Sequence, residues 1–254
     1  MRSARLVLPL VLVLVCCASA QRKPPKTSEK DPQYQYEKGV VALNYGLTDE
    51  AVRYGKLAVS LDPNHYGGHS LLGGAYYKQG DYAESIAEYA RAAELKPDLA
   101  EAHFNLGLAC FEAGDLARAE TELQRANAIK EEALPSFYLA RIYLGQKKLD
   151  QALEEAERSL RKNPSSAGAY NLKGVILNQL GRFAEAAGSF QAGLVLAPND
   201  LNLAINLAIA YMNSNQPEKA RPILEKVLPD VKDPALKAKL EEYLKSIKSP
   251  AGRS

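Results

Sequence analysis

The 254-residue sequence has no tryptophan, three histidines, three cysteines and two methionines. Three cysteines cannot staple a disulfide-dense scaffold, and three histidines leave little material for a histidine-rich metal centre. Charge of one sign is also missing. Lys+Arg number 32 against 30 Asp+Glu, a net charge of +2, so bulk charge does not mark a nucleic-acid binder. Long apolar runs are scarce: residues 6–15 (LVLPLVLVLV) make a run of only ten, too short for a comfortable membrane-spanning helix. The sequence holds no HExxH, Walker-type phosphate loop, GxSxG or paired CxxC. What remains is a globular composition, 46% hydrophobic and 24% charged, with 14 Tyr.

The first 31 residues read as leader and spacer. Arg2 and Arg5 precede the apolar run, and Ala18 and Ala20 stand at −3 and −1 before Gln21. This is the order of a secretory signal, residues 1–20, with cleavage expected after Ala20. Cys16 and Cys17 raise a second route, because the region resembles a bacterial lipoprotein signal, although Val15 is larger than the residue such a site takes before its cysteine. Membrane attachment is expected only if Cys16 or Cys17 is lipidated. Cleavage after Ala20 leaves Cys110 as a lone thiol, expected as a small buried hydrophobe. Residues 21–31 (QRKPPKTSEKD) are a polar, Pro-containing linker.

From there the chain repeats itself. Ala51, Ser85, Ala119, Ala152, Ala186 and Ala220 are spaced by 34, 34, 33, 34 and 34 residues. Twelve residues before them stand Gly39, Gly73, Gly107, Ala140, Gly174 and Ala208; seven after stand Ala58, Ala92, Ala126, Ser159, Gly193 and Val227. Seventeen of these 18 residues are Ala, Gly or Ser, where composition alone would place about five. Each period holds two helices. Gly46, Gly80, Gly114, Gly181 and Asn215 suit the left-handed residue that ends the first. Asp81 and Asp115 are expected to cap the second, and Pro63, Pro97, Pro164 and Pro198 to stop it. Small residues let the two helices of one hairpin approach closely.

These residues resemble the tetratricopeptide repeat, with small residues at positions 8, 20 and 27, Pro at 32, and apolar or aromatic residues at 11, 17 and 24. Tyr76, Tyr143 and Tyr211 take position 11; Tyr82, Leu116, Leu149 and Phe183 position 17; Tyr89, Leu123, Phe190 and Leu224 position 24. The resemblance implies an all-α, right-handed α-solenoid of six units, residues 32–65, 66–99, 100–132, 133–166, 167–200 and 201–234. The departures are Gly55 at position 24, Glu131 in place of Pro in a unit one residue short, Lys147 at the inter-helix glycine, and Pro222 inside a second helix, expected to kink it. Residues 235–248 place Leu236, Leu240, Tyr243, Leu244 and Ile247 on one helical face and are expected to form a C-terminal capping helix before the tail at 249–254.

The resemblance also implies a concave face lined by the first helices. Its candidate partner-binding residues are Tyr36, Val40, Leu43, Tyr77, Phe104, Leu108, Phe111, Phe137, Arg141, Leu144, Asn171, Val175, Asn178, Ile209 and Met212. So apolar a groove suits a peptide or helix from a partner protein. The family's chaperone-docking clamp is absent, because no unit has Lys at position 5. The expected role is an exported, non-enzymatic scaffold, periplasmic or secreted, with a protein or peptide partner, no nucleic acid and no cofactor. Two other readings stand beside it. One is a lipoprotein assembly factor of the kind that pilots secretin or pilus assembly, anchored at the outer membrane. The other is a metal or ligand site around His69 and His103, which share position 4 of adjacent units. The lumen of a eukaryotic secretory pathway is a further location consistent with the signal.

Overall fold

The computed structural model describes residues 29–247. The expected signal, most of the linker and the tail lie outside the described residues, as do Cys16 and Cys17. Within them the chain is all-helical. Helices α1 (Pro32–Asn44) and α2 (Thr48–Leu61) form the first hairpin. They are followed by α3 (Tyr66–Gln79) with α4 (Tyr82–Leu95), α5 (Ala100–Ala113) with α6 (Leu116–Ile129), and α7 (Ala133–Gly145) with α8 (Leu149–Lys162). The last hairpins are α9 (Ala167–Gln179) with α10 (Phe183–Leu196) and α11 (Leu201–Asn213) with α12 (Pro217–Val227). A 3₁₀ turn (Leu228–Asp230) leads to α13 (Pro234–Ser246). Each helix packs on its neighbours in sequence, and α1, α7 and α9 also touch the first helix of the next hairpin. The result is an α-solenoid.

The hairpin turn is the same six times. Gly46, Gly80, Gly114 and Gly181 have φ of 77°, 85°, 85° and 74°, and Lys147 and Asn215 take φ of 62° and 57° at the equivalent place. The next amide then reaches back five residues, as in Lys148 N to Tyr143 O at 2.9 Å and Gln216 N to Tyr211 O at 2.9 Å. Asp115 caps α6 through the Arg118 amide at 3.1 Å. Asp81 makes no side-chain cap. The second helices stop two residues before Pro63, Pro97, Pro164 and Pro198, and α6 stops at the same point before Glu131. Pro222 is accommodated inside α12, which is 11 residues long and passes into the 3₁₀ turn.

The periodic small residues lie where the two helices of a hairpin meet. Ala51, Ser85, Ala119, Ala152, Ala186 and Ala220 are wholly buried, and Ser85 Oγ ties the second hairpin by donating to Gly73 O at 2.8 Å. The glycines twelve residues upstream hold a large side chain of the second helix. A Cβ on Gly73 would stand 2.6 Å from Tyr89, on Gly107 2.9 Å from Leu123, and on Gly174 2.4 Å from Phe190. In the first hairpin, where Gly55 replaces the large residue, Leu71 of α3 lies against Gly39 and Leu72 against Gly55. At the other end Leu240 of α13 is fully buried, with Leu236, Tyr243 and Leu244 packed beside it.

Candidate functional site

The first helices carry every residue expected on the binding face. The centre of that face, from α3 to α7, is aromatic. Phe104 and Phe111 lie on α5, one helical turn to either side of Leu108, and Phe137 and Tyr138 stand on α7. The Tyr138 ring is 5.3 Å from Phe111, 5.6 Å from Phe137 and 6.2 Å from Phe104, edge-on or tilted in each case. The Arg141 guanidinium lies over this cluster, 4.6 Å from the Phe111 centroid, 5.5 Å from Tyr138 and 6.0 Å from Phe137. Arg141 itself is exposed. Its nitrogens make no ion pair or hydrogen bond with the described residues.

Tyr77 extends the cluster onto α3, half-buried and 5.7 Å edge-on from Tyr82. Burial raises its hydroxyl pKa, and the nearby Glu112 carboxylate adds to the rise. Tyr138 is raised in the same way, with Arg141 acting against the shift. Toward the N-terminus, Tyr36 stands 5.8 Å from His65 and its ring covers Gly67. Tyr66, beside Glu101 and Ser70, is pushed by burial to about 12. Val40 packs against the first core cluster, and Leu144 against the central one.

Two expected groove residues are not on the surface. Leu43 is 6% exposed and leans onto the bare backbone of Gly74, 3.5 Å from where a Cβ would be. Leu108 is also 6% exposed, set between the rings of Phe104 and Phe111 on its own helix face. Both belong to the core. In the C-terminal half, Val175, Ile209 and Met212 are half-buried against the last core cluster. Asn171 Oδ1 accepts from Asn206 Nδ2 at 2.9 Å, and Asn178 Oδ1 is buried without a partner among the described residues.

Tyr138 and Asn206, which sequence reasoning missed, share position 6. Each meets the residue at position 5 of the preceding hairpin, Phe104 and Asn171 respectively. The signal was available in the pattern: position 6 of one unit complements position 5 of the unit before it.

Family models agree with this architecture. One described as "TPR repeat" matches residues 73–114, and three described as "Tetratricopeptide repeat" match 100–132, 138–200 and 177–242. The chain belongs to the tetratricopeptide-repeat family. Human "Tetratricopeptide repeat protein 28" is 32% identical over 85 residues, 34% of this chain and 3% of that protein, so the chain spans a small fraction of that relative's length. Among solved structures, Pseudomonas aeruginosa pilF superposes with a TM-score of 0.74 at 17% identity, covering 83% of this chain and 96% of that one. YrrB, described as "a TPR protein with an unusual peptide-binding site", reaches 0.64 at 18% identity, covering 74% and 97%. At such identities the likeness is one of fold.

Tetratricopeptide-repeat proteins serve in general as protein–protein interaction scaffolds. In this tetratricopeptide-repeat chain His69 and His103 are both engaged within the scaffold. His69 Nδ1 meets Glu88 Oε2 at 2.7 Å and its Nε2 meets Pro63 O at 3.0 Å. His103 repeats the pattern with Glu122 at 2.7 Å and Pro97 O at 2.9 Å. Each ring bridges its own second helix to the turn of the preceding repeat, and neither nitrogen remains for a metal. Among the described residues no three His, Cys, Asp or Glu side chains are grouped to hold one. Cys110 is fully buried, and burial pushes its thiol pKa to about 11. No helix among the described residues is long and apolar enough to cross a membrane.

Proposed function

We propose that this protein is an exported, non-enzymatic adaptor that holds a segment of a partner protein against its first helices. The observation that carries this reading is the half-buried cluster of Phe104, Phe111, Phe137 and Tyr138 beneath Arg141. Side chains so apolar, contributed by two adjacent repeats, favour an occupant with aromatic or aliphatic groups. Among the described residues Arg141 has ring contacts but no carboxylate, so the matching segment brings one acidic group among its apolar ones. Tyr77 and Leu144 extend the surface at its edges, and Asn171, Val175 and Asn178 continue it along α9. YrrB, a peptide binder on a similar scaffold, supports the reading by analogy of fold.

In-cell photo-crosslinking tests it. A photoreactive residue at position 141 or 144 should give adducts of discrete mass, and one at Glu84 or Ala117, on exposed faces of second helices, should not. Arg141→Glu with the photoreactive residue at position 144 should abolish the adduct while helical circular dichroism stays unchanged. Identical adducts from both sets of positions, or adducts indifferent to Arg141→Glu, overturn the reading. Export is checked separately: the mature chain should begin at Gln21. A lipidated cysteine at its start would instead favour the membrane-anchored assembly factor.

A further inference from the structure

The two ends of the solenoid differ. At the C-terminal end α13 covers the last hairpin, burying Leu240 completely. At the N-terminal end nothing among the described residues covers α1 and α2. Position 10 shows the consequence. In the later units it is Ala75, Ala109, Ile142, Ile176 and Ala210, all 0–1% exposed because each first helix packs there on the repeat before it. In the first unit it is Val41, 55% exposed. Val41 lines a cleft of about 350 Å³ formed wholly by α1, α2 and their turn, together with Tyr34, Lys38, Tyr45, Leu47 and Tyr54. Tyr45 is 80% exposed and Leu47 50%. This is a repeat-packing surface without its repeat.

We infer that a second copy of this chain covers this face, the two N-terminal hairpins meeting about a two-fold axis. Three observations select that occupant. First, the cleft carries both signs of charge: Lys38 lies over the rings of Tyr34 and Tyr54, and Glu37 and Glu50 line the same cleft. A two-fold axis sets Lys38 of each copy toward the acids of the other, which is the self-complementarity an isologous interface requires. Second, head-to-tail stacking would need an apolar outer surface on α13, but that surface exposes Lys239, Glu242, Lys245 and Ser246. Third, the chain's own residues 21–28 (QRKPPKTS) contain no large apolar side chain to fill the cleft.

The test uses the protein as isolated from cells, its N-terminus read by mass spectrometry. Light scattering and sedimentation should show a dimer that dissociates on dilution. The double variant Val41→Asp, Tyr45→Lys should be monomeric at concentrations where the wild type is dimeric, with at least a tenfold weaker dimer constant. Both side chains are largely exposed, so its helical circular dichroism and melting curve should match the wild type below the dimer constant. Lys239→Glu with Lys245→Glu should leave the dimer intact. A wild-type monomer overturns the inference, including the case where retained residues 6–15 shield the face. Oligomers that lengthen with concentration, or a dimer indifferent to the Val41/Tyr45 variant, also overturn it. None of these outcomes bears on the adducts at positions 141 and 144, so the two readings fail separately.

Discussion

Glycine does two different jobs in this chain, and both lead to measurable expectations. At Gly174 the missing Cβ makes room for Phe190, which would otherwise stand 2.4 Å away. Gly174→Ala should therefore lower stability by about 1–3 kcal/mol through overpacking. Gly188, in the middle of α10, has nothing within 4 Å of a built Cβ. Gly188→Ala should raise stability by about 0.5–1 kcal/mol, because alanine loses less backbone freedom in a helix. Thermal melts of the pair would show shifts of opposite sign. At the turns the requirement is a left-handed backbone, and Lys147 meets it at a cost. Lys147→Gly should add about 1 kcal/mol, read by the same melts. The six turns were legible because five of them carry Gly or Asn. That the sixth keeps the same geometry with lysine was not, since neighbouring contacts, not local preference, hold it there.

At the scale of helices, the histidine bridges fix one repeat on the next. The His103 and Glu122 side chains are 8% and 9% exposed, whereas His69 and Glu88 are 13% and 28%. His103→Ala leaves one oxygen of a more deeply buried carboxylate unpaired, Arg125 still holding the other at 3.1 Å, so it should cost about 2 kcal/mol. His69→Ala should cost roughly half that, because water reaches Glu88. Equal losses in chemical denaturation would refute the ranking. The joint between α6 and α7 works differently, having neither the histidine nor the proline. Asn127 Nδ2 donates to Ser136 Oγ at 2.9 Å, and Arg158 reaches Glu155 at 2.8 Å and Glu131 at 3.6 Å. Asn127 Oδ1 and Glu155 Oε2 are left as buried acceptors without a donor among the described residues. Burial raises the Glu155 pKa, outweighing the lowering influence of nearby Ser136 and Arg158. The native state therefore takes up a proton before the unfolded chain as pH falls, and stability from this group grows as pH drops through the raised pKa. Glu155→Gln imitates the protonated form. It should be more stable than wild type at pH 7, with the gap closing as pH falls to the unfolded carboxylate value of about 4.3. A gap that widens toward acid in pH-dependent melts would contradict this.

Across the whole molecule, stability is a sum over neighbouring hairpins, not the product of one central core. Leu240→Asp should detach α13 and expose the last hairpin, lowering amide protection first in α11 and α12 and leaving α5 to α7 unchanged in hydrogen exchange. Uniform loss of protection would mean that the stack unfolds as one unit. The architecture was legible because small residues recur at a fixed period where hairpin helices touch, from Ala51 to Ala220. The candidate surface was legible only in part. Repeat position tells which side of a first helix a residue occupies, and Phe104, Phe111, Phe137 and Arg141 do gather around Tyr138. It does not tell what the neighbouring unit lays over that residue. Leu43 and Leu108 were therefore misjudged as surface, and Tyr138 was overlooked although it touches three other rings.

Cys110, the one cysteine among the described residues, adds a kinetic reading of the same architecture. Cys110 has no exposed surface, and its thiolate is disfavoured by burial. An alkylating reagent can reach it only after the third hairpin parts from its neighbours. In a chain cleaved after Ala20 no other cysteine competes for the reagent. Its labelling rate, compared with that of a free thiol at the same pH, becomes an internal clock for breathing of the solenoid's middle. A partner seated on Phe104 and Phe111, which flank Cys110 on α5, should slow that clock without touching the sulfur.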